Sequence, residues 1–229
     1  MKLVLFDIDG TLLRGDGSAR RAFEGSLRHT YAVDPDPRVH YDGKTDPQIA
    51  RELLRLAGHD DAAIDERLPA MLDGYLERLR REVSSGARHF EALPGVRALL
   101  DALEPRGDVV LGLVTGNVAD GAAIKLRCAG LDVRRFRANA FGSDHEHRPE
   151  LPRVARRRAR ELTGHDFDGD AIVVVGDTPA DIACARSVAA RTVAVATGRY
   201  AADELAGHGA TATFADLTDT EAVVAAICA

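Results

Sequence analysis

The sequence predicts an α/β fold: a doubly wound, Rossmann-like parallel sheet with an α-helical domain inserted after its first strand. Three observations lead there. Short β-rich apolar runs alternate with helical patterns along most of the chain. Residues from about 15 to 90 break that rhythm and show helical spacing only. The apolar runs also end abruptly in polar or glycine-bearing turns. Strands alternating with helices build parallel βαβ units. Such sheets are covered on both faces and therefore carry continuous Val/Ile/Leu runs.

The first run is KLVLF, which leads directly into Asp7. In the helical stretch, Phe23, Leu27 and Tyr31 stand four apart. A longer stripe joins Ile64, Leu68, Met71, Leu72, Tyr75, Leu76, Leu79 and Val83 at helical period. Turn-forming DPDP and GHDD punctuate the stretch. The expected division is a core of residues 1–14 and 91–229 and an inserted helical domain of residues 15–90. Beyond the insert, PGVRALLDAL reads as a helix and VVLGLV as a strand ending at Thr115. A helix VADGAAIKLRCAG, a helix LPRVARRRAREL and a strand AIVVV before Gly176 follow. PADIACARSV, the strand RTVAVA before Thr197 and a closing helix DTEAVVAAIC complete the pattern.

With 229 residues, the chain has room for a sizeable core. Its apolar content of 45% and charged content of 29% are those of a soluble globular protein. No apolar run approaches the roughly 20 residues of a membrane span, and the N-terminal apolar stretch is too short for a secretory signal. A cytoplasmic protein, monomeric or homodimeric and without membrane partners, is expected. The net charge of −6 disfavours a nucleic-acid partner. Cys128, Cys184 and Cys228 are scattered, and three reduced, mostly buried thiols are expected. Arg153, Arg156, Arg157 and Arg160 share one helical face, opposite Leu151, Val154, Ala155 and Leu162. A solvated outer face explains them better than a phosphate-binding stripe.

Ligands of parallel α/β sheets bind at the carboxyl ends of the strands. Here three strand ends carry polar groups: Asp7-Ile8-Asp9-Gly10-Thr11, Thr115-Gly116-Asn117, and Gly176-Asp177-Thr178-Pro179-Ala180-Asp181. About four carboxylates on one edge would repel severely. A hard divalent cation relieves that repulsion, and oxygen ligands of this kind suit Mg²⁺. A helix-capping Asp plus a turn Asp is the plainer alternative for Asp7 and Asp9 together, and helix capping is the alternative for Asp181.

The segments FDIDGTLL, LVTGN and VVVGDTPADI, in that order, resemble motifs one, two and four of the haloacid dehalogenase-like hydrolase superfamily. The helical insert resembles the cap of its phosphoglycolate phosphatase-like members. The resemblance covers nearly the whole chain and implies a Mg²⁺-dependent phosphatase acting on a small phosphorylated metabolite. It implies Asp7 as the nucleophile that forms an aspartyl-phosphate, and Asp9 as the acid that protonates the leaving oxygen and then activates water. Asp177 would complete the metal shell with Asp7 and the main-chain carbonyl of Asp9, and Asp181 would support the metal from the following helix. Thr115 and the N–H of Gly116, with Asn117 beside them, would hold the phosphoryl oxygens.

The family's third motif is a lysine that pairs with the nucleophile. The three lysines are Lys2, Lys44 and Lys125. Lys2 begins the first strand, at the wrong end of the sheet, and Lys125, mid-helix, reads as a surface residue. The segment HEHRPELPRVA holds the matching place, so Arg148 is the expected replacement, with Arg153 second. Arginine keeps the charge but presents a planar fork. His145 and His147 read as loop residues near the site mouth. Lys44, in YDGKTDPQIA between insert helices, would meet the far, anionic end of a small phosphorylated acid or sugar. A mutase of the β-phosphoglucomutase kind shares the motifs and the cap, whereas a non-catalytic binding protein would have little use for the aspartates. A 2-haloacid dehalogenase is disfavoured, because that branch lacks the second aspartate of the first motif.

Overall fold

The computed structural model describes residues 1–84 and 89–229. In chain order the elements are β1 (Lys2–Phe6), β2 (Leu13–Gly15), α1 (Ser18–Tyr31), α2 (Asp46–Leu56), α3 (Asp61–Val83) and β3 (Phe90–Ala92). There follow α4 (Val96–Leu103), β4 (Val109–Thr115), α5 (Ala119–Cys128), β5 (Ala140–Phe141) and α6 (Leu151–Thr163). The chain closes with β6 (Ile172–Gly176), α7 (Pro179–Ala185), β7 (Arg191–Val195), α8 (Ala202–Gly207), β8 (Ala212–Phe214) and α9 (Thr220–Cys228).

Six strands pair in the order β5-β4-β1-β6-β7-β8, and every pairing is parallel. The expected fold class is thus the one observed. β1 lies between β4 and β6, with Leu5 level with Gly112 on one side and Val174 on the other. The alternation of a strand sends its side chains to two faces. Val4 and Phe6 join the core beneath α4, α5 and α9, whereas Leu3 and Leu5 pack beneath α6 and α7. Because both faces are covered, the run KLVLF needs no polar residue. Its register places Asp7, Thr115 and Asp177 together at the carboxyl edge, beside the point where the strand order reverses.

Helices α1 to α3 lie between β2 and β3 in sequence. Phe23, Leu27 and Tyr31 of α1 face Ile64, Met71 and Tyr75 of α3. Gly74 lets the two backbones approach, since a Cβ there would lie 2.7 Å from Ser26 Oγ. Helix α2 starts at Thr45, whose Oγ1 accepts the Gln48 N–H at 3.2 Å.

Several expectations need correction. The two short strands β2 and β3 were not expected; they pair antiparallel at the borders of the stretch 15–90, with only Gly15 and Phe90 inside it. Strands of three residues are too short to display a period. Residues 85–88 of that stretch lie outside the described residues. Of the three thiols only Cys184 is fully buried; Cys128 and Cys228 are half-buried. On α6, Leu162 is exposed rather than part of the apolar face. The arginines of that helix do face outward, paired with Glu150, Asp168, Glu161 and Asp166.

Leu5 is 0% exposed and sits in the middle of the sheet. Replacing it with Ala should cost about 2–5 kcal/mol in a urea unfolding titration.

Candidate active site

The exit of β1 drives two neighbouring carboxylates apart. Asp7 donates its N–H to the Val175 carbonyl at 2.9 Å and stays in register with β6. The chain then turns: the N–H groups of Thr11, Leu12 and Leu13 all point to the Ile8 carbonyl. Gly10 takes φ +84°, and a Cβ there would lie 2.3 Å from Asp177 Oδ2, so glycine is required both for the turn and for the close approach. Asp7 is left buried, whereas the Asp9 side chain is 44% exposed.

Asp7 joins Asp177 and Asp181, and one carboxylate oxygen from each lies within 4.8 Å of the other two. Thr11 Oγ1 donates to Asp177 Oδ1 at 2.9 Å. Asp181 closes a capping box at the start of α7: its Oδ2 accepts from the Thr178 N–H at 3.0 Å and from Thr178 Oγ1 at 2.7 Å. Its Oδ1 accepts from Arg148 Nη2 at 2.5 Å, and the same nitrogen lies 3.0 Å from Asp7 Oδ1. Arg148 thus lies beside the carboxylate at the end of β1, whereas Arg153 pairs with Glu150.

One guanidinium faces three carboxylates. Burial pushes Asp7 up to about 6, with Arg148 opposing and Asp181 and Asp9 adding. Burial, followed by Asp181 and Asp7, pushes Asp177 up to about 8. Without a further cation Asp177 keeps its proton at neutral pH. An all-oxygen donor set of this density fits a hard divalent ion. The missing side chain of Gly198, whose Cβ would lie 1.8 Å from Asp177 Oδ2, keeps the cradle tight. Asp9 adds no side-chain oxygen to the cluster.

The Asp9 carboxylate instead meets a second network. Its Oδ2 accepts from Lys125 Nζ and from Asn117 Nδ2, both at 2.7 Å. Lys125 Nζ also donates to Asn117 Oδ1 at 2.6 Å, and Asn117 Nδ2 reaches Thr115 Oγ1 at 2.8 Å. Lys125 was expected on the surface; it is 6% exposed and lines the site. The overlooked signal is the helical neighbourhood of Lys125. Gly121 and Ala122 precede it by four and three residues, and Cys128 and Ala129 follow by three and four. A charge amid small and apolar neighbours belongs to a covered face, with its stem buried and its head drawn to a carboxylate.

The loop entering α2 covers the Thr115-Gly116 turn. Asp46 donates its N–H to the Gly116 carbonyl and accepts the Val118 N–H at Oδ2, each at 2.8 Å. A Cβ on Gly116 would lie 2.0 Å from the Lys44 carbonyl oxygen. Between loop and sheet edge lies a cavity of about 310 Å³, walled by Asp7, Asp9, Thr115, Asn117, Arg148 and Asp177. Phe23, Tyr41, Lys44, Asp46 and Tyr75 line it as well. The Lys44 ammonium is bound to the Glu52 carboxylate. His145 and His147 are exposed and stand outside the cavity wall. Lys2 is at the opposite end of the sheet, donating to the Asp170 and Ala229 carbonyls.

The family model for haloacid dehalogenase-like hydrolase matches residues 4–186. A phosphoglycolate phosphatase of Rhodospirillum rubrum is 30% identical over 220 residues, covering 94% of this chain and 87% of that protein. Among solved structures, a hydrolase from Pseudomonas syringae is similar with a TM-score of 0.73 at 22% identity, over 98% of both chains. CbbY from Rhodobacter sphaeroides, in complex with phosphate, gives 0.72 at 22% identity over 96% of both. These two structures share the fold.

The raised value at Asp177 fixes the sign of a pH effect. A carboxyl that binds its proton more tightly when folded favours the folded state below about pH 4, and this advantage is lost as pH rises through about 8. Asp177→Asn without metal should therefore exceed the parent in stability at pH 8.5, and the gap should narrow toward pH 4. Urea unfolding in EDTA at the two pH values measures it.

Proposed function

The chain belongs to the haloacid dehalogenase-like hydrolases, enzymes that act here on phosphate esters, and we propose that it is a Mg²⁺-dependent phosphatase of a small phosphorylated metabolite. The observation that carries this reading is the buried convergence of Asp7, Asp177 and Asp181 around Arg148 at the carboxyl edge of the sheet. Asp7, Asp177 and Asp181, with the main-chain carbonyl of Asp9, would hold the magnesium ion. When bound, the ion supplies positive charge to the carboxylates and to the phosphoryl oxygens.

The residues then divide the work. Asp7 attacks phosphorus, giving an aspartyl-phosphate and splitting the hydrolysis into two easier steps. Asp9 protonates the departing oxygen, and in the second half it takes a proton from the water that attacks the intermediate. Arg148 keeps the Asp7 carboxylate oriented and adds charge against the phosphoryl group. Its Nε is buried and bonds to none of the described residues, so an arriving anion would satisfy a donor otherwise left at a cost. Thr115 and the Gly116 N–H hold phosphoryl oxygens, and Asn117 stands beside them.

Residues 15–90 act as a cap over the core of residues 1–14 and 91–229, excluding water and selecting the substrate. A cavity of about 310 Å³ admits only a small ester. The Rhodospirillum rubrum relative is a phosphoglycolate phosphatase, and a short phosphorylated acid of that kind suits the volume. Lys44, which also lines the cavity, meets the far end of such a substrate.

Phosphate release from p-nitrophenyl phosphate should require Mg²⁺ and disappear in EDTA. Asp7→Asn should lower kcat by roughly a thousandfold or more, as loss of a nucleophile does; phosphate release that survives this change would refute the mechanism. With 2-phosphoglycolate, Lys44→Met should raise KM several-fold with little effect on kcat, and an unchanged KM would remove Lys44 from the substrate site.

A further inference from the structure

We propose that Lys125 is a positioning residue for Asp9: with Asn117 it pins one oxygen of that carboxylate and leaves the other free for proton transfer at the leaving group. The inference rests on the assignment of Asp9 as acid and base given above.

The contacts are asymmetric. Asp9 Oδ2 accepts two hydrogen bonds, from Lys125 Nζ and Asn117 Nδ2, each 2.7 Å long. No donor among the described residues reaches Oδ1, and Asp9 lines the cavity. With two donors on Oδ2, a proton carried by this carboxyl resides on Oδ1, where an ester oxygen can meet it. The partners also hold each other. Lys125 Nζ donates to Asn117 Oδ1 at 2.6 Å, closing a ring of three side chains, and Asn117 Nδ2 is anchored to Thr115 Oγ1 at 2.8 Å. A closed ring with a buried lysine stem leaves Asp9 little rotamer freedom.

The second reason is charge. Asp7 and Asp9 are one residue apart, and Arg148 is occupied by Asp7 and Asp181. Lys125 gives Asp9 a cation of its own, paired with it rather than with the three-carboxylate cluster. In the first half-reaction the bond from Asp7 to phosphorus forms and the ester P–O bond breaks. The proton on Asp9 Oδ1 passes to the departing oxygen. In the second half, water attacks phosphorus and gives its proton back to Oδ1, and the bond to Asp7 breaks. Between these events Asp9 is an anion, and Lys125 is its counter-charge.

A pair of aryl esters tests this. The p-nitrophenolate of p-nitrophenyl phosphate leaves without a proton, whereas the phenolate of phenyl phosphate, a far stronger base, gains from one. Lys125→Met should lower kcat/KM for phenyl phosphate by about tenfold or more, within the usual contribution of general acid catalysis. For p-nitrophenyl phosphate the loss should stay below about threefold, and Lys125→Arg should restore some of it. The ratio of the two constants does not depend on the folded fraction of a preparation. Should Lys125→Met fail to fold, the same ratio in Asn117→Ala serves. Equal losses on both esters, or none on either, would overturn the proposal. Asp9→Asn separates the two levels: if it leaves the ratio unchanged, the acid–base assignment of Asp9 fails. If it shifts the ratio and Lys125→Met does not, only the role of Lys125 fails.

Discussion

Three buried carboxylates that repel one another, Asp7, Asp177 and Asp181, set the terms for the rest of this structure. One oxygen from each lies within 4.8 Å of the other two, and the Arg148 guanidinium pairs with Asp7 and Asp181. Burial and mutual repulsion hold Asp7 and Asp177 far above the ordinary carboxylate range. Such an arrangement destabilises a fold unless something offsets it. The surrounding geometry nevertheless preserves it, through the Thr178–Asp181 capping box, the Thr11 hydroxyl and the glycines pressed against Asp177. The proposed magnesium ion and phosphorylated substrate would offset that repulsion.

The same constraint explains how the cations are shared out. Asp7 and Asp9 leave β1 one residue apart, yet the turn at Gly10 sends them to different partners. Arg148, from the turn before α6, serves the buried cluster, and Lys125, from α5, serves the half-exposed carboxylate. Two chemically similar groups thereby acquire distinct surroundings, which suits the proposed division into an attacking carboxylate and a proton-carrying one. The parallel sheet makes this economical, because adjacent strand ends deliver side chains from remote regions of the sequence to one edge.

The helical segment lines the cavity too. Its loop before α2 bonds to the Gly116 carbonyl and to the Val118 N–H, and the Lys44 carbonyl fits against a residue with no side chain. The resulting cavity is small and mixed in character, lined by aromatic rings from α1 and α3 as well as by the carboxylates. Its size is fixed by contacts between the insert and the β4 turn rather than by either alone.

The sheet was legible in the sequence because its signals are local. Runs such as KLVLF and AIVVV carry the burial of both faces in a few consecutive residues, and the polar groups at their ends mark the carboxyl edge. Arg148 was legible from its place before the α6 helix, and Asp7, Asp177 and Asp181 from theirs. What lay beyond reach was whatever depends on distant partners. The pairing of β2 with β3 involves three residues on each side, separated by the whole insert, so no periodicity announces it. The neighbours of Lys125 mark a covered helical face, but which acid its ammonium meets was decided only by the fold, which brings it to Asp9. Local pattern determined which residues form strands and where acidic groups gather; tertiary packing alone decided which cation each acid received, because an ion pair depends on distance in space and not on separation along the chain.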